Sequence, residues 1–122
     1  MLPSGHRMRR RDDFSLAVRR GRRAGRPNVV VHLLRREEDA ETAGPALVGF
    51  IVARNVGNAV TRNAVRRRLR HLARGHVDRL PPGSLLVVRA NPRAGEARPD
   101  DLAADLESAL DRLLRPASKG RR

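Results

Sequence analysis

The 122-residue chain has no cysteine, no tryptophan and no tyrosine, and its aromatics are two phenylalanines, Phe14 and Phe50. Without cysteine it has no disulfide framework, no thiolate nucleophile and no thiolate metal ligand. So few aromatics cannot stack several bases, which argues against an RRM-like reader or a single-strand-binding OB fold. No apolar run approaches a membrane span, and the N-terminus lacks a signal-peptide hydrophobic region, so a soluble cytoplasmic protein with no membrane partner is expected. The four histidines, His6, His32, His71 and His76, do not pair with carboxylates at zinc-ligand spacing. There is no Gly-x-Ser-x-Gly and no Gly-rich phosphate loop leading into a helix. No catalytic residue and no metal held by the protein alone is expected.

Arginine fills the space that these absences leave. The formal charge is +14, the pI is about 11.9, and Lys119 is the single lysine among 27 basic residues. The Arg-over-Lys bias speaks of a G+C-rich genome, but the net charge speaks of a polyanionic partner. The charge is segregated along the chain. Residues 1–27 hold nine arginines against Asp12 and Asp13, and residues 42–77 hold seven arginines and no acid. Acids gather at residues 37–41 and again at residues 96–111, so one basic binding side is expected.

The segment 57–74, Gly-Asn-Ala-Val-Thr-Arg-Asn-Ala-Val-Arg-Arg-Arg-Leu-Arg-His-Leu-Ala-Arg, reads as one helix with six arginines. At about 100° per residue, Val65, Leu69 and Leu72 fall within roughly 60° of arc, a stripe to bury. Arg62, Asn63, Arg66, Arg67, Arg70 and Arg74 fill the adjoining arc of roughly 140°, and Arg68 lies elsewhere. Each like-charged pair at i, i+4 costs about 0.2–0.5 kcal/mol, a repulsion that a bound polyanion would relieve. The helix candidate at residues 100–115 is the internal control: it carries five acids against Arg112 and Arg115.

The remaining pattern predicts an α+β, two-layer sandwich in which helices pack on one face of a small mixed sheet of three to four strands. A basic arm (residues 1–11, flexible) precedes a single RNA-binding domain (12–115) and a disordered tail (116–122). Asp12 is the expected N-cap of a short helix on which Phe14, Ala17 and Val18 share a face, closed by Gly21. Residues 22–27 form a basic turn with room for a short edge strand. Strands are expected at 28–34, 46–53 and 84–90, with a polar hairpin-type connection at 37–45. Asn58 caps the arginine helix. The last helix, opening at Pro99-Asp100, buries Leu102, Leu106, Ala109, Leu110 and Leu113. About three helices result, and the short first one covers the far sheet face only in part, leaving a shallow cleft.

Paired acids at Asp12-Asp13 and Asp100-Asp101 each precede a helix and are explained by capping and dipole complementation. His32, inside a strand, reads as a half-buried residue with its hydrogen bonds met. His71 projects near the basic arc. Phe50 reads as core, and Phe14 as either core or cleft lining.

The segment Arg62-Asn63-Ala64-Val65-Arg66-Arg67-Arg68-Leu69-Arg70 resembles the signature of the protein subunit of bacterial ribonuclease P. The lead-in from Val52 to Val60, with its Gly57-Asn58-Ala59-Val60, is similar too, as is the opening Met8–Phe14 with Arg19-Arg20-Gly21. The resemblance covers roughly residues 6–115. It implies a left-handed crossover of the arginine helix between parallel strands, against the usual hand. It implies a non-catalytic protein cofactor, a monomer in a 1:1 complex with ribonuclease P RNA, acting on the 5′ leader of precursor tRNA. The RNA and its Mg²⁺ would carry the endonucleolytic chemistry. Arg54, Arg62, Asn63, Arg66, Arg67 and Arg70 match the family's RNA-binding set, joined by Arg74 from the helix arc, with Asn63 beside an RNA-bound Mg²⁺. Phe14 matches a leader-cleft aromatic, while Val18 and Val31 stand where the family often has further aromatics. Asn55 and Ala53 replace a common basic residue and a common serine. A ribosomal or RNA-chaperone protein would share the charge and fold type and is the competing reading.

Overall fold

A computed structural model describes residues 7–8, 10–35 and 44–115. Helix α1 (Arg11–Arg20) leads into strands β1 (Arg22–Gly25), β2 (Val29–Leu34) and β3 (Leu47–Ile51). Helix α2 (Ala59–Arg74), strand β4 (Leu85–Ala90) and helix α3 (Pro99–Leu114) follow, with single 3₁₀ turns at Arg54–Val56, Val77–Arg79 and Pro92–Gly95. The four strands lie in the order β1-β2-β4-β3. β1 with β2 and β2 with β4 are antiparallel, and β3 with β4 is parallel. This is the expected α+β sandwich on a mixed sheet.

The connection expected to be hairpin-like at residues 37–45 does not join paired strands, because β4 lies between β2 and β3. The physical reason is burial: Leu85, Leu86, Val87 and Val88 are covered on both faces, and a strand apolar on both faces belongs inside a sheet. Parallel neighbours cannot be joined by a tight turn, so β3 reaches β4 through the crossover that α2 supplies.

Alternation along the strands builds two cores. On one face Val29, Val31, Leu33, Val48, Leu86 and Val88 pack under α2 and α3. The α3 stripe of Leu102, Leu106, Ala109, Leu110 and Leu113 is wholly buried there. On the other face α1 packs on β2 and β4, where Met8, Ala17, Leu85 and Val87 are buried with Phe14, Val18 and Ile51 half-buried beside them. Helix α3 is tied to the β1–β2 edge by polar contacts. Asp105 accepts from the Asn28 backbone N–H (2.9 Å) and from Asn28 Nδ2 (3.0 Å). Arg22 and Arg35 both donate to the Leu113 carbonyl at 3.2 Å, placing cations where the helix dipole is negative.

At the N-terminus, Asp12 is not the cap. The Arg10 carbonyl already accepts from Asp13 and Phe14, so the helix starts at Arg11 and both acids sit in its first turn. Of the basic arm, Arg7 forms a parallel bridge to Val48, and Met8 is buried and donates its N–H to the Val48 carbonyl. That end of the arm is docked on β3 rather than free. Residues 1–6 and 9, and the tail 116–122, lie outside the described residues.

Gly49 on β3 leaves the space that the Phe14 ring of α1 fills. A Cβ there would overlap the Phe14 ring. Gly49→Ala is expected to lower stability by roughly 1–3 kcal/mol, as overpacking does, and Phe14→Leu in the same chain to recover part of it. Thermal unfolding of the single and double variants checks this.

Candidate nucleic-acid interface

Helix α2 begins at a backbone position that only glycine adopts readily: Gly57 has φ +154°. Asn58 then caps it, its Oδ1 accepting the Thr61 N–H at 2.9 Å. Val65, Leu69 and Ala73 are buried, and this fixes the rotation of the helix. Arg67, Arg68 and Arg74 are therefore exposed, and Arg62, Arg66 and Arg70 are half-buried along the shoulder. Arg66 donates to Asn63 Oδ1 at 3.1 Å, a contact within one turn. Arg62 Nε is buried and has no hydrogen-bond partner in the protein. Arg54 is exposed on the 3₁₀ turn just before the helix.

None of these arginines forms an ion pair with a described acid. The ion pair among the described residues is Arg79–Asp111 at 2.5 Å, an exposed contact from the 3₁₀ turn after α2 to α3. Asp105 and Asp111 on α3 are occupied by Asn28 and Arg79, so the acids serve the fold while the α2 guanidinium groups stay free of carboxylate.

The basic shoulder runs into the cleft beside α1. Phe14, Met8 and Gly49 share a recess of about 190 Å³ with Arg66 and Arg70. From Phe14 a groove of about 590 Å³ continues past Val18 and Ile51. Ile51 pairs with Arg89 on β4, and Arg89 lines a further recess of about 190 Å³ with His32, Arg23, Val30 and Asn55. A basic edge, an apolar floor and a second basic end thus lie along one side of the molecule.

Val31 is not part of this cleft. It is fully buried in the helix-side core, opposite Ala24 and Val88, because strand alternation sends Val30 and His32 to the cleft side instead. His32 is also not the satisfied strand histidine expected. It is 5% exposed, and neither ring nitrogen has a hydrogen-bond partner. Leaving such a group unmatched costs on the order of 1–3 kcal/mol. Burial, then the Arg23 and Arg89 guanidinium groups, hold the His32 pKa below the ordinary histidine value.

Asn63 Oδ1 already accepts from Arg66 and sits among guanidinium groups, so the protein surface alone does not suit a divalent cation there. Among the described residues no group of three or more His, Asp or Glu side chains is placed to hold a metal ion.

The family model for ribonuclease P matches residues 2–114. The chain belongs to the ribonuclease P protein family. The ribonuclease P protein component of Streptomyces griseus is 58% identical over 118 residues, spanning 93% of this chain and 96% of the relative. That of a Nocardioides species is 57% identical over 113 residues, spanning 93% and 95%. Among solved structures, the RNase P protein of Staphylococcus aureus matches with a TM-score of 0.75 at 21% identity, covering 90% of this chain and 98% of that one. The RNase P protein of Thermotoga maritima matches with a TM-score of 0.69 at 25% identity, covering 92% and 98%.

Within this ribonuclease P family fold, Arg62, Asn63, Arg66, Arg67, Arg70 and Arg74 share one side of α2, with Arg54 at its foot. Phe14 and Val18 line the groove. Arg23 and Arg89 did not stand out in the sequence. The available signal was Arg89 itself, a lone charge in the otherwise apolar strand Leu-Leu-Val-Val-Arg-Ala.

The His32 environment has a stability consequence with a defined sign. Above the ordinary histidine range (about 6.5) both folded and unfolded chains hold the ring neutral. Below it the unfolded chain takes a proton that the fold resists, so the unfolded state binds more protons and stability is lost as pH falls. The thermal midpoint should drop between pH 7.5 and 5.5. The drop should be smaller in His32→Gln, with the remainder from His76, whose pKa burial and Arg79 also lower.

Proposed function

We propose that this chain is the non-catalytic protein cofactor of the ribonuclease P ribozyme. It binds ribonuclease P RNA through the α2 shoulder and holds the 5′ leader of precursor tRNA in the cleft between α1 and the sheet. The observation that carries the reading is the row of α2 arginines, unpaired by any described acid, along the rim of an apolar-floored groove. Guanidinium groups bind phosphate through planar paired donors, and each contact releases condensed counterions. Arg62 Nε, buried without a partner, is a donor that an RNA oxygen would satisfy. Phe14 offers one aromatic face at the groove, enough for one base rather than a stacked series.

In this reading the complex holds one protein per RNA, in the cytoplasm, and tRNA 5′-end maturation is its product. Mg²⁺ belongs mainly to the RNA, where it supplies metal-assisted hydrolysis. The protein's residues supply positive charge, orientation and a path for the leader. Fixed arginines do part of the phosphate neutralisation that free Mg²⁺ otherwise does, so the protein should matter most when Mg²⁺ is scarce.

Purified protein added to the cognate RNA at low Mg²⁺ is expected to enhance cleavage of precursor tRNA and to cleave nothing by itself. A lack of enhancement would turn the reading toward a ribosomal or chaperone role, and cleavage by protein alone toward a nuclease.

Arg66→Ala with Arg70→Ala should weaken RNA binding while leaving the thermal midpoint unchanged or raised, since each like-charged pair removed is worth about 0.2–0.5 kcal/mol. If about six arginines meet phosphates, wild-type affinity should fall by about 10³ between 50 and 200 mM salt, and the double variant should show a shallower slope.

A further inference from the structure

We propose that His32, Arg23 and Arg89 form an oxyanion pocket at the far end of the cleft, which takes one backbone phosphate of the single-stranded RNA lying there. The proposal deepens the cleft reading above and rests on it. It makes His32 a positioning residue that selects for a charged backbone rather than for a base.

Four observations converge on it. His32 is 95% buried by area (5% exposed), yet both ring nitrogens lack a partner, and the ring lines a recess of about 190 Å³, large enough for a phosphate group. Two guanidinium groups line the same recess from opposite sides. Arg23 sits directly across from His32 on β1, and Arg89 on β4 pairs with Val30, two residues from His32 and on the same sheet face. Asn55 adds a neutral amide at the mouth. The charged groups that act on the ring are Arg23 from β1 and Arg89 from β4, both cationic, and α1 and β3 add none.

The Arg23 and Arg89 guanidinium groups disfavour a proton on the ring between them, and an anion held among the three would reverse that. A neutral imidazole offers one N–H to a phosphate oxygen, and a protonated one offers a charge-assisted bond. Binding of a phosphate offsets the two arginines and favours the protonated ring. The sign follows: anion binding should take up a proton, and affinity should rise as pH falls through the histidine range. Ile51, which lines the Phe14 groove, pairs with Arg89, which lines the recess, so the two are neighbours on one sheet face. One strand of RNA can therefore lay a base near Phe14 and a phosphate near His32.

The test follows the His32 ring by NMR in the wild-type full chain, titrated with inorganic phosphate, with a short single-stranded RNA, and with the same oligomer carrying a methylphosphonate backbone. Phosphate and RNA are expected to move the ring resonances and to raise the His32 pKa. The uncharged oligomer should do neither. Wild-type affinity for the RNA should increase roughly three- to tenfold from pH 7.5 to 5.5, the scale of a pKa change of up to about one unit. His32→Gln should bind with little pH dependence. Arg23→Ala, on an exposed edge position, should weaken phosphate binding and raise the free-ring pKa.

An unmoved ring, equal binding of the methylphosphonate oligomer, or phosphate binding without any RNA effect would each overturn the pocket. None of these readouts depends on precursor cleavage. Loss of the ribozyme-cofactor reading with an intact ring titration, or the reverse, therefore identifies which of the two has failed.

Discussion

The burial of Val65, Leu69 and Ala73 against the sheet sets the orientation of everything that faces outward from α2. Two large apolar side chains removed from water contribute roughly 1.5–3 kcal/mol each. The ladder Arg62, Arg66, Arg70, Arg74 opposes helix formation by only about 0.2–0.5 kcal/mol per adjacent pair. Burial wins by a clear margin, so the fold holds its guanidinium groups in register without a counter-charge. The helix needs no acid to stay helical, and its basic face remains available.

The same sheet is closed on one side and half-open on the other. Two helices of sixteen residues cover the first face, whereas α1 has ten residues, about 15 Å of helix, for the second. It covers the end that carries Leu34, Leu47 and Leu85 and leaves Val30, His32 and Arg89 to line a recess. Acids are spent inside the architecture, with Asp105 on Asn28 and Asp111 on Arg79, both on the α3 side. The division of charge seen along the chain thus becomes a division in space.

Periodic features were the legible ones. The α2 arc, the α3 stripe, the Asn58 cap and the Gly21 stop all follow from local spacing and are found where that spacing puts them. The long arginine-asparagine motif identified the family, and family membership in turn implied a crossover that no local pattern encodes. What resisted reading was non-local. That β4 enters between β2 and β3 depends on comparing the burial of whole strands. Val31, expected in the cleft, lies one position away from the residues that line it, and in a strand one position reverses the face. His32 differs from expectation for a related reason: a strand residue takes its partners from the register of its neighbours, and here the register brings two arginines instead of an acceptor.

The outermost strand, β1, has Arg22 and Arg23 exposed along its length. A sheet border with open backbone groups invites another chain to add itself, and clustered positive charge is one of the devices that discourages it. At the opposite border, Arg7 and Met8 lie along β3 and occupy part of that rim. Two identical molecules meeting rim to rim would bring arginine against arginine. The positive charge that suits a nucleic-acid partner therefore also works against self-assembly through the sheet.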